Sequence, residues 1–225
     1  MKKEPLIGIS RLRMGTDGHG ITTLVAFHGC PLRCKYCLNP QCLSDSSTAM
    51  WRTPEEVMDI LKKDELYFLA TKGGITFGGG EPLQKSDFIL KILELGAKRW
   101  HISVETSLNV EQHHIEMLLP YIHEYIVDVK DINPTIYENY TGKSNNQVIS
   151  NLQFLCEQGM SEKILCRIPL IPHYNNAACQ YYTIEYLKGI GITRFDQFEY
   201  VTKPSKQINI PERERRGLLG VVLGL

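Results

Sequence analysis

The chain has 225 residues, 43% of them hydrophobic, and its 25 basic residues balance its 25 acidic residues, so the formal net charge is zero. A chain of this length can form one large α/β domain with a substantial core. The balanced charge argues against an overall field that attracts nucleic acid or an anionic membrane, and it is more typical of a protein that binds small ligands or one protein partner.

The ends of the chain and its cysteines bear on location. The residues after Met1 do not resemble a signal peptide, and the longest apolar run, 217–225, is far shorter than the roughly 20 residues that span a bilayer. Cysteines number seven, and four of them fall between positions 30 and 42. An odd, clustered set is typical of metal chemistry in a reducing compartment. We therefore expect a soluble, cytoplasmic protein.

Short β-branched apolar runs alternate with longer amphipathic segments along the chain. Strands are predicted at 22–27, 74–77, 100–105, 124–129, 163–171 and 194–200. Helices are predicted between them at 54–61, 86–97, 110–119, 134–140, 147–157 and 176–188. The first helix has the clearest start, because Thr53 can cap it and Pro54 suits its first turn. This alternation predicts one parallel α/β domain, and both a doubly wound sheet and an incomplete barrel fit it.

Residues suited to chemistry fall at the carboxyl ends of five predicted strands. In chain order they are the cysteines after the first strand, the segment GGGEP at 78–82, Glu105, the pair Asp128 and Lys130, and the dipeptide PH at 172–173. In parallel α/β folds these ends meet along one rim, where ligands bind. The sequence therefore predicts one functional site at that rim.

The cysteines Cys30, Cys34 and Cys37 offer three thiolates to one inorganic centre through the pattern CxxxCxxC. A structural zinc site takes four ligands, and an ordinary four-iron cluster is held by four cysteines. Three thiolates without an obvious fourth predict a cluster with one open iron. The alternative is a zinc site completed by Cys42 or His28, although zinc pairs favour two well-separated CxxC halves. The remaining cysteines are expected to be small buried apolar residues: Cys156, Cys166 and Cys179.

The glycines at 78–80 follow a predicted strand and would let the backbone bend sharply and leave its polar groups open to a ligand. The segment lacks the lysine and hydroxyl of a phosphate-binding P-loop, and it lacks the GxGxxG spacing of a dinucleotide site. An ordinary turn is the alternative. Its position one strand after the cysteines favours a role in the same site.

Together these motifs resemble the radical S-adenosylmethionine (SAM) enzymes, in which CxxxCx(aromatic)C is followed by GGEP after the next strand; Tyr36 is the aromatic residue here. The resemblance extends to the activating enzymes of glycyl-radical enzymes. Their DGPG, YCHNP, DLK and TGxSN motifs are similar to segments 16–21 (TDGHGI), 37–40 (CLNP), 128–130 (DVK) and 140–145 (YTGKSN), and their fifth strand is similar to 167–172 (RIPLIP). The resemblance covers about residues 10–200.

The resemblance implies an α/β fold, an incomplete (β/α)6 TIM-like barrel with parallel strands. It also implies one domain over 1–225, with its core at about 10–200 and a divergent or truncated tail at 201–225. Cys30, Cys34 and Cys37 would hold a 4Fe-4S cluster whose fourth iron binds the amino and carboxylate groups of SAM. The other implied cofactor-binding residues are Gly79, Gly80 and Glu81 for the amino group, Tyr36 and Leu38 beside the adenine, Asp128 and Lys130 for the ribose and carboxylate, and Glu105 for a possible monovalent cation.

Simpler alternatives exist for three of these residues. Asp128 and Lys130 lie two positions apart on one face of a strand and could form an ordinary surface ion pair. Glu105 could be an ordinary acid at a strand end.

The resemblance also implies an activity and partners. Reductive cleavage of SAM would give methionine and a 5′-deoxyadenosyl radical, which removes hydrogen from a glycine of a partner glycyl-radical enzyme. A flavodoxin- or ferredoxin-type protein would donate the electron, in an anaerobic or microaerobic host, without nucleic acid or membrane. The chain has no CxxC-rich insert between Cys42 and Gly73, as in the minimal activating enzymes. The alternatives are a radical SAM enzyme that acts on a small molecule or peptide, and a non-catalytic metal-binding module.

Three positions depart from the family pattern. His19 replaces the proline of DGPG. The histidine that the family often places after the sixth strand, to contact the cofactor, aligns with Val201, and residues 199–210 contain no histidine. The apolar end at 218–225 stands where a terminal helix is expected. These departures predict a thinner wall of the cofactor site at the sixth strand.

Overall fold

The computed structural model describes residues 2–15 and 17–200, and they form one sheet with helices packed against it. The strands are β1 (Glu4–Met14), β2 (Ile21–Phe27), β3 (Met50–Arg52), β4 (Gly74–Gly79), β5 (His101–Thr106), β6 (Glu124–Asp128), β7 (Ile164–Leu170) and β8 (Arg194–Glu199). The helices are α1 (Pro54–Leu61), α2 (Glu65–Thr71), α3 (Ser86–Glu94), α4 (Gln112–Leu118), α5 (Pro134–Thr141), α6 (Asn146–Glu157) and α7 (Ala177–Gly189).

Strand order distinguishes a half barrel from a doubly wound sheet. The order across the sheet is β3-β1-β2-β4-β5-β6-β7-β8, and the six strands from β2 to β8 are parallel. Among these six the order never reverses, so right-handed crossovers place the connecting helices on the same face. A doubly wound sheet requires a reversal. The sheet is open in the described part of the chain, and the predicted incomplete TIM-like barrel is confirmed.

Three elements were not predicted. Strand β1 pairs antiparallel with β2, and β3 pairs antiparallel with β1, so the sheet has eight strands rather than six. Strand β1 carries a proline, a glycine and two arginines within Glu4–Met14, which hides its extended character. Helix α2 was missed because its apolar residues do not lie on one buried stripe: Leu66 and Leu69 are exposed while Phe68 is buried.

The two faces of the parallel strands differ in chemistry. On the helix-facing side, Phe77, Val104 and Val127 are fully buried in the main apolar core. Residues one position away point to the concave face, where the register places Asp128 beside Arg167 and Arg167 beside Asp196. The core therefore forms between sheet and helices and leaves the concave face to polar side chains. No helix in the described ranges is long and apolar enough to cross a membrane.

Candidate functional site

A cavity of about 170 Å³ lies at the carboxyl ends of the parallel strands. Its walls include nine of the eleven predicted site residues: Cys30, Cys34, Cys37, Leu38, Gly79, Gly80, Glu105, Asp128 and Lys130. Sequence reasoning missed six further lining residues: Leu32, Asn39, Thr106, Ser107, Arg167 and Tyr200. The predicted rim is thus one connected surface in the structure.

The cysteine segment follows β2 and is fastened to the end of α5. The backbone amide of Arg33 donates to Thr141 O at 2.7 Å, and that of Lys35 donates to Tyr140 O at 3.2 Å. The Arg33 guanidinium donates to the Cys30 carbonyl at 2.8 Å and therefore closes the loop on itself. The segment YTGKSN, matched only by resemblance, has here a structural role, because it anchors the loop that carries the thiols.

The three thiols lie in different environments. Burial raises the pKa of Cys30 to about 12, and burial also raises the pKa of Cys34. A hydrogen bond from the Cys42 thiol lowers the pKa of Cys37 to about 6 against the effect of burial. Thiols with raised pKa values are protonated near neutral pH, so metal binding at Cys30 and Cys34 would release protons.

The two alternative zinc ligands lie off the cavity. Neither Cys42 nor His28 lines it, although the buried Cys42 thiol reaches Cys37. Within residues 2–15 and 17–200, no three His, Cys, Asp or Glu side chains converge on a point that one metal ion would occupy. A cluster does not need such convergence, because each thiolate binds its own iron. Three soft thiol ligands on one cavity wall fit an iron–sulfur cluster.

The other cysteines differ from expectation. Only Cys166 is buried, as predicted for all three of the remaining cysteines. Cys156 and Cys179 are half-buried, so for these two the prediction was wrong. Cys156 packs against the margin of the core.

The glycine segment at 78–80 packs closely against the end of β2 and the residues that follow it. A Cβ on Gly80 would lie 2.1 Å from the carbonyl oxygen of Gly29, and Gly79 has a left-handed φ of +93°. The amides of Gly80 and Glu81 already donate to Phe27 O and Gly29 O, both at 2.8 Å. The turn can therefore offer carbonyl oxygens, rather than these amides, to a ligand, and carbonyls accept from ammonium groups.

Glu81 does not line the cavity, and its carboxylate bonds to two residues that do. Its side chain accepts hydrogen bonds from Thr106 Oγ1 at 2.6 Å and from the amide and hydroxyl of Ser107 at 2.9 and 2.6 Å. Burial raises the pKa of Glu81 despite these bonds. Glu81 therefore joins the glycine turn to the end of β5, and the signal that could have identified its partners is the hydroxyl pair that follows Glu105 in the sequence.

Asp128 and Lys130 form an ion pair in which the lysine is buried and the aspartate side chain is 37% exposed. Lys130 is 6% exposed, and its ammonium donates to Asp128 Oδ2 at 2.8 Å and to the Tyr200 hydroxyl at 2.6 Å. Burial alone would lower the pKa of Lys130, but Asp128 outweighs it and the pKa lies well above its usual value. Burial likewise opposes ionisation of Asp128, yet Lys130 and Arg167 hold its pKa below the usual value. Because Lys130 is buried, the pair differs from the solvated surface ion pair considered for these residues.

Glu105 is part of a charged network on the concave face. Its carboxylate lies 3.6 Å from Arg167 Nη1, and Arg167 Nε lies 3.4 Å from Asp196. Burial, together with the nearby charge of Asp17, raises the pKa of Glu105 to about 7, while Arg167 opposes the shift. Glu105 is therefore more than a solvated acid at a strand end.

A further predicted residue, Tyr36, lies differently from expectation. The Tyr36 ring is not on the cavity; it lines an adjoining open depression and packs edge-on against Tyr174 at 5.9 Å between ring centroids. Leu38 does line the cavity and is 71% exposed.

His19 lines a second cavity of about 350 Å³, which shares Arg167 with the first. Val201 and the predicted tail at 201–225 lie outside the described residues.

Three cysteines and a buried lysine surround one cavity at the rim of an open half barrel. This combination defines a class of cofactor-dependent α/β enzymes. The family comparison is specific within that class: residues 24–180 match the model of the radical SAM superfamily. The chain belongs to the radical SAM superfamily, and its similarity to activating enzymes, expected from the motifs, is confirmed by its relatives.

Three curated relatives illustrate that similarity. The (2S)-3-sulfopropanediol dehydratase activating enzyme of Klebsiella oxytoca is 27% identical over 221 aligned positions, which cover 71% of this chain and 69% of the relative. The pyruvate formate-lyase-activating enzyme of Staphylococcus aureus is 30% identical, and the alignment covers 72% of this chain and 67% of the relative. The indoleacetate decarboxylase activating enzyme of Tractidigestivibacter scatoligenes is also 30% identical, but only 53% of its length is covered.

Solved structures support the fold. Streptococcus suis SuiB bound to the precursor peptide SuiA superposes with a TM-score of 0.61 at 17% identity, covering 88% of this chain and 44% of that one. A radical SAM methyltransferase from Sphaerobacter thermophilus gives a TM-score of 0.55 at 18% identity, covering 98% and 74%. At these identities the comparison shows a shared radical SAM fold.

Proposed function

We propose that this chain holds one 4Fe-4S cluster and one SAM molecule in the rim cavity and activates a partner glycyl-radical enzyme. The observation that carries the proposal is the single cavity that brings together Cys30, Cys34 and Cys37 with the glycine turn and Lys130. The family implies the cluster and SAM, and relatives named as activating enzymes support the reaction class.

The cavity suggests a role for each wall. Cys30, Cys34 and Cys37 would each bind one iron, and the carbonyls of Gly79 and Gly80 would accept from the amino group of SAM. The proposed partner of the SAM carboxylate is Lys130, a buried point charge that Asp128 keeps ionised. Because the Glu81 carboxylate is already engaged with β5, its proposed contribution is to fix the turn.

In this proposal Tyr36 does not contact the adenine, although the resemblance implied that it would. Its ring packs against Tyr140 and Tyr174 and supports the cysteine loop from behind. Leu38 remains the proposed apolar contact for the adenine. A monovalent cation beside Glu105 would share that carboxylate with Arg167, which already lies 3.6 Å away.

When bound, the cluster would supply the electron for reductive cleavage of SAM to methionine and a 5′-deoxyadenosyl radical, as in the superfamily. This reaction needs no general base. The proposed role of the residues that line the cavity is to exclude water and to orient the sulfonium. The electron donor we propose is a flavodoxin- or ferredoxin-type protein, and the proposed location is the cytoplasm. The second candidate function, radical chemistry on a peptide, is favoured by the structural similarity to the peptide-bound SuiB structure.

One experiment separates these functions. Anaerobically reconstituted protein is analysed for iron and zinc, reduced, and supplied with SAM and candidate glycyl-radical proteins. We expect about four irons per chain, release of 5′-deoxyadenosine, and a glycine-centred doublet by electron paramagnetic resonance on one partner. Cleavage of SAM without a doublet on any glycyl-radical protein would favour the peptide or small-molecule alternative. One zinc per chain and no iron would exclude the radical function.

A further inference from the structure

Tyr200 brings to the rim cavity a hydroxyl that the motifs did not predict. It lines the rim cavity with Lys130, Cys34 and Cys37, one residue before the position where the family histidine aligns. The amide of Tyr200 donates to Leu170 O at 3.0 Å, which continues the β7–β8 ladder past the end of β8. The ring packs on Phe198 with 5.5 Å between ring centroids. Backbone and ring together hold the hydroxyl in place.

The direction of the hydrogen bond between Lys130 and Tyr200 follows from chemistry. A protonated lysine has three N–H donors and no acceptor, so the tyrosine oxygen must accept in the 2.6 Å contact. The Tyr200 hydroxyl therefore keeps its own proton for another acceptor. The nearby Tyr140 hydroxyl is buried and has no partner within normal hydrogen-bond geometry among residues 2–15 and 17–200. Burial and its interaction with the Tyr200 hydroxyl both raise the pKa of Tyr140. That direction makes Tyr140 the donor in the interaction, so the proton of Tyr200 stays available.

The same accounting applies to the Lys130 ammonium. One of its N–H groups points to Asp128 at 2.8 Å and a second to Tyr200, which leaves a third. Within the described part of the chain, this wall of the cavity thus has two adjacent donors without an acceptor, one cationic and one neutral. Two adjacent donors match the two oxygens of a carboxylate, whereas the acceptor oxygens of Asp128 match a ribose hydroxyl.

We propose that Tyr200 is a substrate-binding residue whose phenolic O–H donates a hydrogen bond to the carboxylate of SAM beside Lys130. This inference rests on the proposed function, because it assumes that SAM occupies the cavity. It also assigns specificity: the two donors select a ligand with a carboxylate at the methionine end.

The test is equilibrium binding by calorimetry to anaerobically reconstituted protein, with SAM and with decarboxylated SAM as the two probes. We expect Tyr200→Phe to weaken binding of SAM about tenfold or more, since hydrogen bonds to charged groups contribute about 1.5–3 kcal/mol. Binding of the decarboxylated probe should be the same for the variant and the wild type. Tyr174→Phe, which removes a hydroxyl from a nearby ring off this cavity, should match the wild type with both probes.

The other possible results would overturn either this inference or the proposed function. Equal weakening with both probes would mean that Tyr200 acts by packing, and an unchanged affinity for SAM would mean that it is not a ligand; either would overturn this inference alone. A wild-type protein with a full cluster that fails to bind SAM would overturn the proposed function as well. Iron content and circular dichroism equal to those of the wild type identify a folded, loaded variant.

Discussion

Cys34 and Cys42 lie in the same loop region but differ in their relation to the cavity, which allows a direct test of the cluster ligands. Cys34 lines the cavity wall, whereas Cys42 is buried behind it. We expect Cys34→Ala to lose most of the about four irons per chain and the visible absorption of the cluster, and Cys42→Ala to retain both. Iron analysis and absorption spectra of the two reconstituted variants measure this. Equal loss in both would identify Cys42 as a fourth ligand and remove the open iron.

The Glu105 carboxyl predicts a pH-dependent stability with a defined sign. Burial raises its pKa from 4.5 to about 7, so the folded protein binds this proton more tightly than the unfolded chain does. The stabilisation is complete below about 4.5 and is lost as the pH rises through about 7, by at most about 1.4 kcal/mol per pH unit. Glu105→Gln should remove this part of the slope in urea unfolding between those limits. Glu94→Gln, at an exposed helix end, should leave it; a slope unchanged by Glu105→Gln would disprove the assignment.

At the level of elements, the glycine turn tests how tightly the rim loops are packed. A methyl group on Gly80 would clash with the Gly29 carbonyl at 2.1 Å, while one on Gly189, at the end of α7, meets nothing within 4 Å. We expect Gly80→Ala to lower the free energy of unfolding by about 1–3 kcal/mol and to weaken SAM binding. Gly189→Ala should be neutral or stabilising by up to about 1 kcal/mol. Urea unfolding measures the free energy of unfolding of both variants. Similar values would show that the backbone around Gly29 and Gly80 can move apart at little cost.

The sequence predicted elements best where local chemistry decides their ends. Helix α1 spans the predicted residues, and its start is fixed because Thr53 and Glu56 form a capping box around its first turn. Strand β1 and helix α2 were missed because their stability comes from pairing with β2 and packing on it, which local patterns do not show.

The site shows the same division at the level of side chains. The three cysteines, the glycine turn and the pair Asp128 and Lys130 could be found from motifs. The Glu81 bonds to Thr106 and Ser107, the anchoring of the cysteine loop on α5, and the hydroxyl of Tyr200 arise from contacts between distant segments. No spacing in the chain encodes such contacts, so they required the structure.

At the scale of the whole molecule, the apolar core and the proposed cofactor site occupy opposite faces of one sheet. The main core includes helix-facing strand residues such as Phe77, Val104 and Val127, and none of the three rim cysteines belongs to it. We therefore expect the sheet to fold without metal bound to the thiols. The cysteine loop, in contrast, is held by a few backbone hydrogen bonds to α5 and by contacts with the glycine turn.

This separation predicts what iron removal does. The iron-free chain should keep its far-ultraviolet circular dichroism and one cooperative unfolding transition, because hydrophobic burial between sheet and helices supplies most of the stability. Hydrogen exchange should rise locally, in the segment 29–43, and remain unchanged in α3 and β5. Comparison of iron-free and reconstituted protein by hydrogen-exchange mass spectrometry measures the effect, with α3 as the internal control. Loss of protection across the whole sheet would show instead that the metal is needed for the fold, as it is in small zinc domains.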